Sequence, residues 1–451
     1  PMRYTGGLLG GTWLTALMGD LGAGKFDGAW LVSNFENLNP ANTYWSKHYN
    51  LYSKVDTEAP RYLEFEDWWG GHVLLNAEEI QSIVDDLFVG NKLATAEIST
   101  KDGAVLDFRN IRTPIVVFCS KGDNITPPPQ ALDWILDLYR DVDDIRAHGQ
   151  TIIYAVHESA GHLGIFVSGS VAKKEHDEFA SNIDLIEVLP PGLYEAVMTP
   201  KQFGSDTADL VTGDYLVRFE ARTLDDIRAF GANSEEDERR FATVARVSEI
   251  NLGLYRTFMQ PWIRAFANEG AATWLRKLHP LRLQYELFST ANPFMSYLAS
   301  MADVVRQNRQ PVAKENLFAQ AEASASKWIE TSLNSYRDLR DELTEAKFLN
   351  VYGSPVLQAL VGLKAGEGAP RRRPGVDATY KAFVAQRVEE LRRGVEEGGP
   401  REAAIRAALY IRLPEGVADE RGFHLLQRLR DEAGFGLTLA AFEKMVRDQF
   451  F

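Results

Sequence analysis

Asp123 and His162 are the residues whose type and setting could do acid–base chemistry. Asp123 follows the apolar run Ile115-Val116-Val117-Phe118-Cys119 and its polar exit Ser120-Lys121-Gly122. His162 stands in Ser159-Ala160-Gly161-His162-Leu163-Gly164, directly after a second apolar run, Thr151-Ile152-Ile153-Tyr154-Ala155-Val156. A carboxylate beside an imidazole fixes the ring's tautomer and stabilises its cation, so that the other ring nitrogen serves as a general base. Taken singly, Asp123 also reads as a turn or helix-capping aspartate, and His162 as a polar loop histidine. His157 competes for the base role because it directly follows the strand. The glycines around His162 favour that residue, since they let the loop bring its ring close to a reacting centre. His157 and His162 share a loop with no third ligand in view, so no metal site is expected.

The elements that must position this pair are legible. Unbroken apolar runs ending in polar turns read as buried parallel strands. Between them, Pro127-Pro128-Pro129 opens a helix whose Leu132, Ile135, Leu136 and Tyr139 share one face. Strand, helix, strand at this spacing is a right-handed crossover, so the strands should be neighbours and deliver both side chains to one surface-facing edge. The expected fold class is α/β, the C-terminal part of an α/β-hydrolase fold. Such a fold needs a nucleophile on a strand-to-helix turn ahead of the acid and the histidine. None is readable here. Gly6-Gly7-Leu8-Leu9-Gly10-Gly11 offers no hydroxyl or thiol, and the lone Cys119, inside its strand, reads as an inert small apolar residue. The nucleophile elbow is therefore expected upstream of Pro1, and the chain is expected to be a fragment that is inactive alone.

Residues 1–190 are expected to form this partial α/β domain, with an aromatic-rich cap at about 39–93. That stretch carries Asn39-Pro40, Tyr44-Trp45 and Trp68-Trp69. Either it covers an apolar site or it packs a small helical core of its own. Residues 191–365 read as a mainly helical extension with one strand at Tyr215–Ala221. Its clearest helix carries Leu317, Trp328, Leu333, Tyr336, Leu339 and Leu343 in one stripe. The stripe is expected to be buried against other helices or a second subunit; the sharper alternative is a face offered to a polymer granule or partner helix. Residues 366–375, with Arg371-Arg372-Arg373 between prolines and glycines, read as a linker. Residues 376–451 read as a small helical domain.

At this point the motifs resemble a known family. Ser120-Lys121-Gly122-Asp123-Asn124-Ile125-Thr126-Pro127 resembles the acid-bearing segment of polyhydroxyalkanoate synthases. Ser159 to Gly164 is similar to their histidine segment, and Asn39-Pro40 through Tyr44-Trp45 to Trp68 is similar to their cap. The likeness covers roughly residues 1–180 and is nearest to the 3-hydroxyalkanoate synthetase-like group with a long helical extension. The last module loosely resembles tellurite-resistance-type helical domains. The synthase resemblance implies a Cys–His–Asp triad that takes a 3-hydroxyacyl group from coenzyme A as a thioester and passes it to a polyester. Asp123 would be the orienting acid and His162 the base, with Tyr44, Trp45, Trp68 and Trp69 binding substrate under the cap. A 3-hydroxyacyl-CoA or polyester substrate, a polymer granule surface and a second copy of the chain are the partners it implies.

Composition narrows the alternatives. The chain has 49 Lys and Arg against 63 Asp and Glu, a net charge of −14, which speaks against a phosphate-tracking nucleic-acid binder. One cysteine fits a reducing, cytoplasmic setting, and no apolar run is long enough to span a membrane. No dinucleotide or phosphate-loop fingerprint is present, so no cofactor is expected. Two other functions stay open: a serine esterase or depolymerase on the same fold, and a non-catalytic granule-associated scaffold.

Overall fold

Five strands form one mixed sheet: β1 (Ile115–Ser120), β2 (Thr151–His157), β3 (Gly192–Pro200), β4 (Tyr215–Ala221) and β5 (Val417–Asp419), in that spatial order. β1, β2 and β3 run parallel, and β4 and β5 are antiparallel to their neighbours. This is a computed structural model, and it describes residues 2–201, 210–211, 213–231, 234–313, 315–363, 378–396, 398–412, 417–432 and 438–449. It is a mostly helical α/β protein. The chain divides into two units, one of residues 1–91 with 235–370, the other of residues 92–234 with 371–451.

The sheet belongs to the second unit and has a packed layer on each face. β2 is central and buried from Thr151 to Ala155, as its unbroken apolar sequence requires. Successive side chains point to opposite faces. Ile152 and Tyr154 therefore join Cys119, Leu132, Ile135 and Ile145 on one side. Ile153 and Ala155 join Leu185, Leu189, Val217 and Phe219 on the other. The helix Pro128–Leu138 starts with prolines in its first turn, where their missing N–H costs nothing, and buries Leu132, Ile135 and Leu138.

The first unit is helical apart from an antiparallel pair, Lys25–Asp27 with Leu74–Asn76. Its core centres on Val244, Phe348 and Tyr352, from the helices Glu235–Leu254 and Leu317–Tyr352. Buried carboxylates pin it further. Asp20 accepts from Tyr255 Oη at 2.7 Å, Gln260 Nε2 at 2.8 Å and Arg264 Nε at 2.7 Å. Asp27 takes two hydrogen bonds from Arg282, at 3.0 and 2.7 Å. Among the described residues no helix is long and apolar enough to cross a membrane.

Several expected boundaries are corrected. Residues 39–91 group with the helical unit rather than forming a cap inside a 1–190 domain. The extension is not helical from residue 191, because β3 and β4 complete the sheet and only the chain from 235 joins the helical unit. Residues 378–449 are not a separate domain. Val417–Asp419 supplies the edge strand, and Phe423, Leu426, Phe442 and Val446 enter the same core as Leu185 and Phe219. Residues 366–375 lie outside the described residues. The stripe on the long helix is exposed, Leu317 at 78%, Trp328 at 71% and Leu339 at 58%. This helix is apolar over a wide arc, and the edge that packs carries Ser326, Phe348 and Tyr352.

Candidate active site

The site grows out of the carboxyl ends of β1 and β2. Ser120, the last residue of β1, is in register with His157, the last of β2, so the loops leaving them emerge side by side. Lys121 N–H donates to the His157 carbonyl at 2.9 Å, extending the ladder past the sheet edge. The approach is closest at Gly122, where a Cβ would stand 2.4 Å from the Ser159 carbonyl oxygen. No larger residue fits without moving backbone, which gives the glycine in Ser120-Lys121-Gly122-Asp123 a physical reason.

That proximity joins Asp123 to His162. His162 Nδ1 lies 2.9 Å from Asp123 Oδ2. The other carboxylate oxygen accepts the backbone N–H groups of Ile125 at 2.8 Å and Thr126 at 2.9 Å. Thr126 Oγ1 donates to Asp123 Oδ2 at 2.7 Å and sits 3.2 Å from His162 Nδ1, bridging acid and ring. Burial by itself pushes the Asp123 carboxyl up, but the bonds from Thr126, His162 and Ile125 outweigh it and hold the group below its usual value. An ionised carboxylate only accepts, so the proton between the two residues sits on Nδ1, which makes Nε2 the acceptor nitrogen of the neutral ring. The carboxylate is buried while the imidazole keeps 28% of its side-chain surface exposed. Phe166 stands edge-on to the ring, 6.5 Å between centroids.

The sequence predicts Asp123 at a surface-facing strand end. It is 2% exposed, because the following turn folds its N–H groups over the carboxylate. His157 has a different task. Its Nδ1 accepts the N–H groups of Ser159 at 3.1 Å and Ala160 at 2.9 Å, which shapes the loop carrying His162. Its Nε2 faces the buried Glu175 at 3.9 Å. Cys119 is 1% exposed and points at the Ala155 carbonyl, 3.6 Å from Sγ. Burial, with help from Asp123 and Glu195, pushes its thiol up to about 12, far from a thiolate at neutral pH.

Tyr44, Trp45, Trp68 and Trp69 belong to the first unit, Asp123 and His162 to the second. Trp45 donates from Nε1 to Ser326 Oγ at 2.8 Å and stacks on Tyr49 at 5.9 Å. Trp69 donates to Glu36 Oε1 at 2.6 Å and stacks on Phe65. Both indoles thus have structural partners within the helical unit. Tyr44 and Trp68 are exposed, at 60% and 59%. Sequence reasoning missed Thr126 and Gly122 as parts of the site. Both stand inside the quoted acid-bearing segment, but their roles depend on the neighbouring loop. Among the described residues no group of three or more His, Cys, Asp or Glu side chains is placed to hold a metal ion.

Comparison with known proteins places the chain in a family without extending the chemistry. A protein of Rhizobium meliloti described as "Uncharacterized protein in ackA 5'region" is 58% identical over 453 residues, covering 100% of this chain. The chain spans 62% of that relative's length. No solved structure matches. Residues 1–395 match the family model described as "Protein of unknown function (DUF3141)", and the chain belongs to that family.

Proposed function

We propose that the chain carries the acid and base of an acyl-transfer site on an α/β-hydrolase-type sheet, of the polyhydroxyalkanoate synthase kind. The observation that supports it is the 2.9 Å bond between His162 and the buried Asp123 at the carboxyl ends of neighbouring parallel strands. In this reading Asp123 holds the proton on Nδ1, and Nε2 takes a proton from a thiol nucleophile as the thiolate attacks a 3-hydroxyacyl thioester. The coenzyme A thiolate leaves with a proton and the acyl group stays on the nucleophile. His162 then removes the proton of an incoming hydroxyl, which takes the acyl group and regenerates the thiol. Cys119 is unsuited to the nucleophile's part, so that part falls to a residue beyond these 451 in the full-length protein. Cytoplasmic action on a soluble acyl-CoA, delivering product to a polyester granule, belongs to the same proposal.

Thiol release from 3-hydroxyacyl-CoA by the full-length protein tests it, with a short-chain ester as the comparison substrate. His162→Ala should lower thiol release by about 10²–10⁴-fold with the fold intact, the range for a positioned general base. Turnover that survives this substitution would overturn the reading. So would hydrolysis of the ester with no thiol release, which would favour an esterase on the same fold. A full-length protein that does neither would favour a scaffold.

A further inference from the structure

The exposed face of the helix Leu317–Tyr352 takes no part in the Asp123–His162 chemistry. Ala321, Ala325, Trp328, Tyr336, Leu339 and Leu343 recur along it at the steps of a straight helix, with Ser332 between the aromatics, and all are exposed. Trp328 at 71%, Tyr336 at 56% and Leu343 at 50% are too large and apolar to leave as a continuous wet stripe without a partner. The opposite face is occupied, since Ser326, Phe348 and Tyr352 are buried within the unit.

We infer that this face is the interface between two copies of the chain, with their long helices antiparallel about a two-fold axis near Asn334. Shape is the first reason. The stripe is symmetric about a point between Ser332 and Tyr336. Reversal therefore sets Trp328 of one copy against Leu339 of the other, Ala325 against Leu343, and Ala321 against Ala346. Large residues then meet smaller ones, as interdigitated helix packing needs. A parallel arrangement would stack Trp328 on Trp328 and Tyr336 on Tyr336.

Charge is the second. Lys347 flanks the stripe on one side and Glu342 on the other, and neither forms an ion pair among the described residues. The same antiparallel alignment brings Glu322, which lies on the Lys347 side and accepts from Tyr49 Oη at 3.2 Å, beside Lys347 of the second copy. Charges at such flanking positions set partner choice and orientation. The helix as a whole is acidic, Lys327, Arg337, Arg340 and Lys347 against Glu322, Glu330, Asp338, Asp341, Glu342 and Glu345, which disfavours an anionic lipid surface.

Sedimentation equilibrium of the 451-residue chain tests the interface, with circular dichroism to show that each variant stays folded. The chain should be a dimer and Leu339→Glu a folded monomer. Lys347→Glu should weaken the dimer by about tenfold or more, since it sets like charges together. Adding Glu322→Lys should restore it, because the pair is then reversed in both copies. In a parallel dimer Lys347 would instead meet Glu342, and the double variant would stay weak. A monomeric chain, a monomer that floats with anionic phospholipid vesicles, a dimer indifferent to Leu339→Glu, or a double variant that stays weak would each overturn the proposal.

Discussion

Asp123 concentrates the site's electrostatics in one buried carboxylate that accepts two backbone N–H groups, the Thr126 hydroxyl and His162. Asp123→Asn replaces an acceptor with a group whose amide half faces donors. It should cost about 1–3 kcal/mol in urea unfolding at pH 7, as leaving buried donors poorly matched does. Because the carboxyl is held below its usual value, its stabilisation is fully present above the ordinary aspartate pKa of about 3.9 and is lost as the pH falls through the lowered one. The stability gap between wild type and Asp123→Asn should therefore close below about pH 4. Gly122→Ala should be comparably damaging, about 1–3 kcal/mol, because its methyl group meets the Ser159 backbone and drives the two loops apart. Cys119 should resist iodoacetamide at pH 8 in the folded chain and react once urea unfolds it. Fast alkylation of the native protein would contradict its burial.

Among the elements, those with local signals were the readable ones. β1, β2 and the helix Pro128–Leu138 follow from unbroken apolar runs and from prolines at a helix start. With them comes the order of acid and histidine, so the nearness of Asp123 and His162 is legible in the sequence. Thr126's bridge was not, since it depends on a hydroxyl reaching across two loops. Nor was the task of His157, whose Nδ1 is filled by backbone donors two and three residues on. On the long helix the periodicity revealed an apolar arc, but which edge of the arc packs is decided by Val244 and Phe241, far away in sequence. The short edge strand Val417–Asp419 has no strong strand signal and exists because β4 offers it a ladder to complete.

For the whole molecule, each unit is assembled from two separated stretches of chain, an arrangement that a reading along the sequence divides wrongly. The last stretch looks like a free-standing module because its helices are amphipathic, yet their apolar faces are spent on the sheet. Phe423, Leu426, Phe442 and Val446 pack with Leu185, Val217 and Phe219. A chain truncated after residue 363 should therefore lose most of the sheet unit's cooperative unfolding, as removal of several buried aromatic and aliphatic side chains at about 2–5 kcal/mol each implies. Residues 378–451 expressed alone should show little tertiary structure by near-ultraviolet circular dichroism. Independent folding of that piece would restore the picture of a separate domain.

If Asp123 fixes the proton of His162 on Nδ1 and so prepares Nε2 as a base, the tautomer of the ring should show it. Nitrogen-15 NMR of the neutral His162 imidazole measures this in the chain itself, with no substrate present. The wild type should show a protonated Nδ1 and an unprotonated Nε2, giving way to a mixture of tautomers in Asp123→Asn. A wild-type ring with its proton on Nε2, or one averaging freely between tautomers, would contradict it.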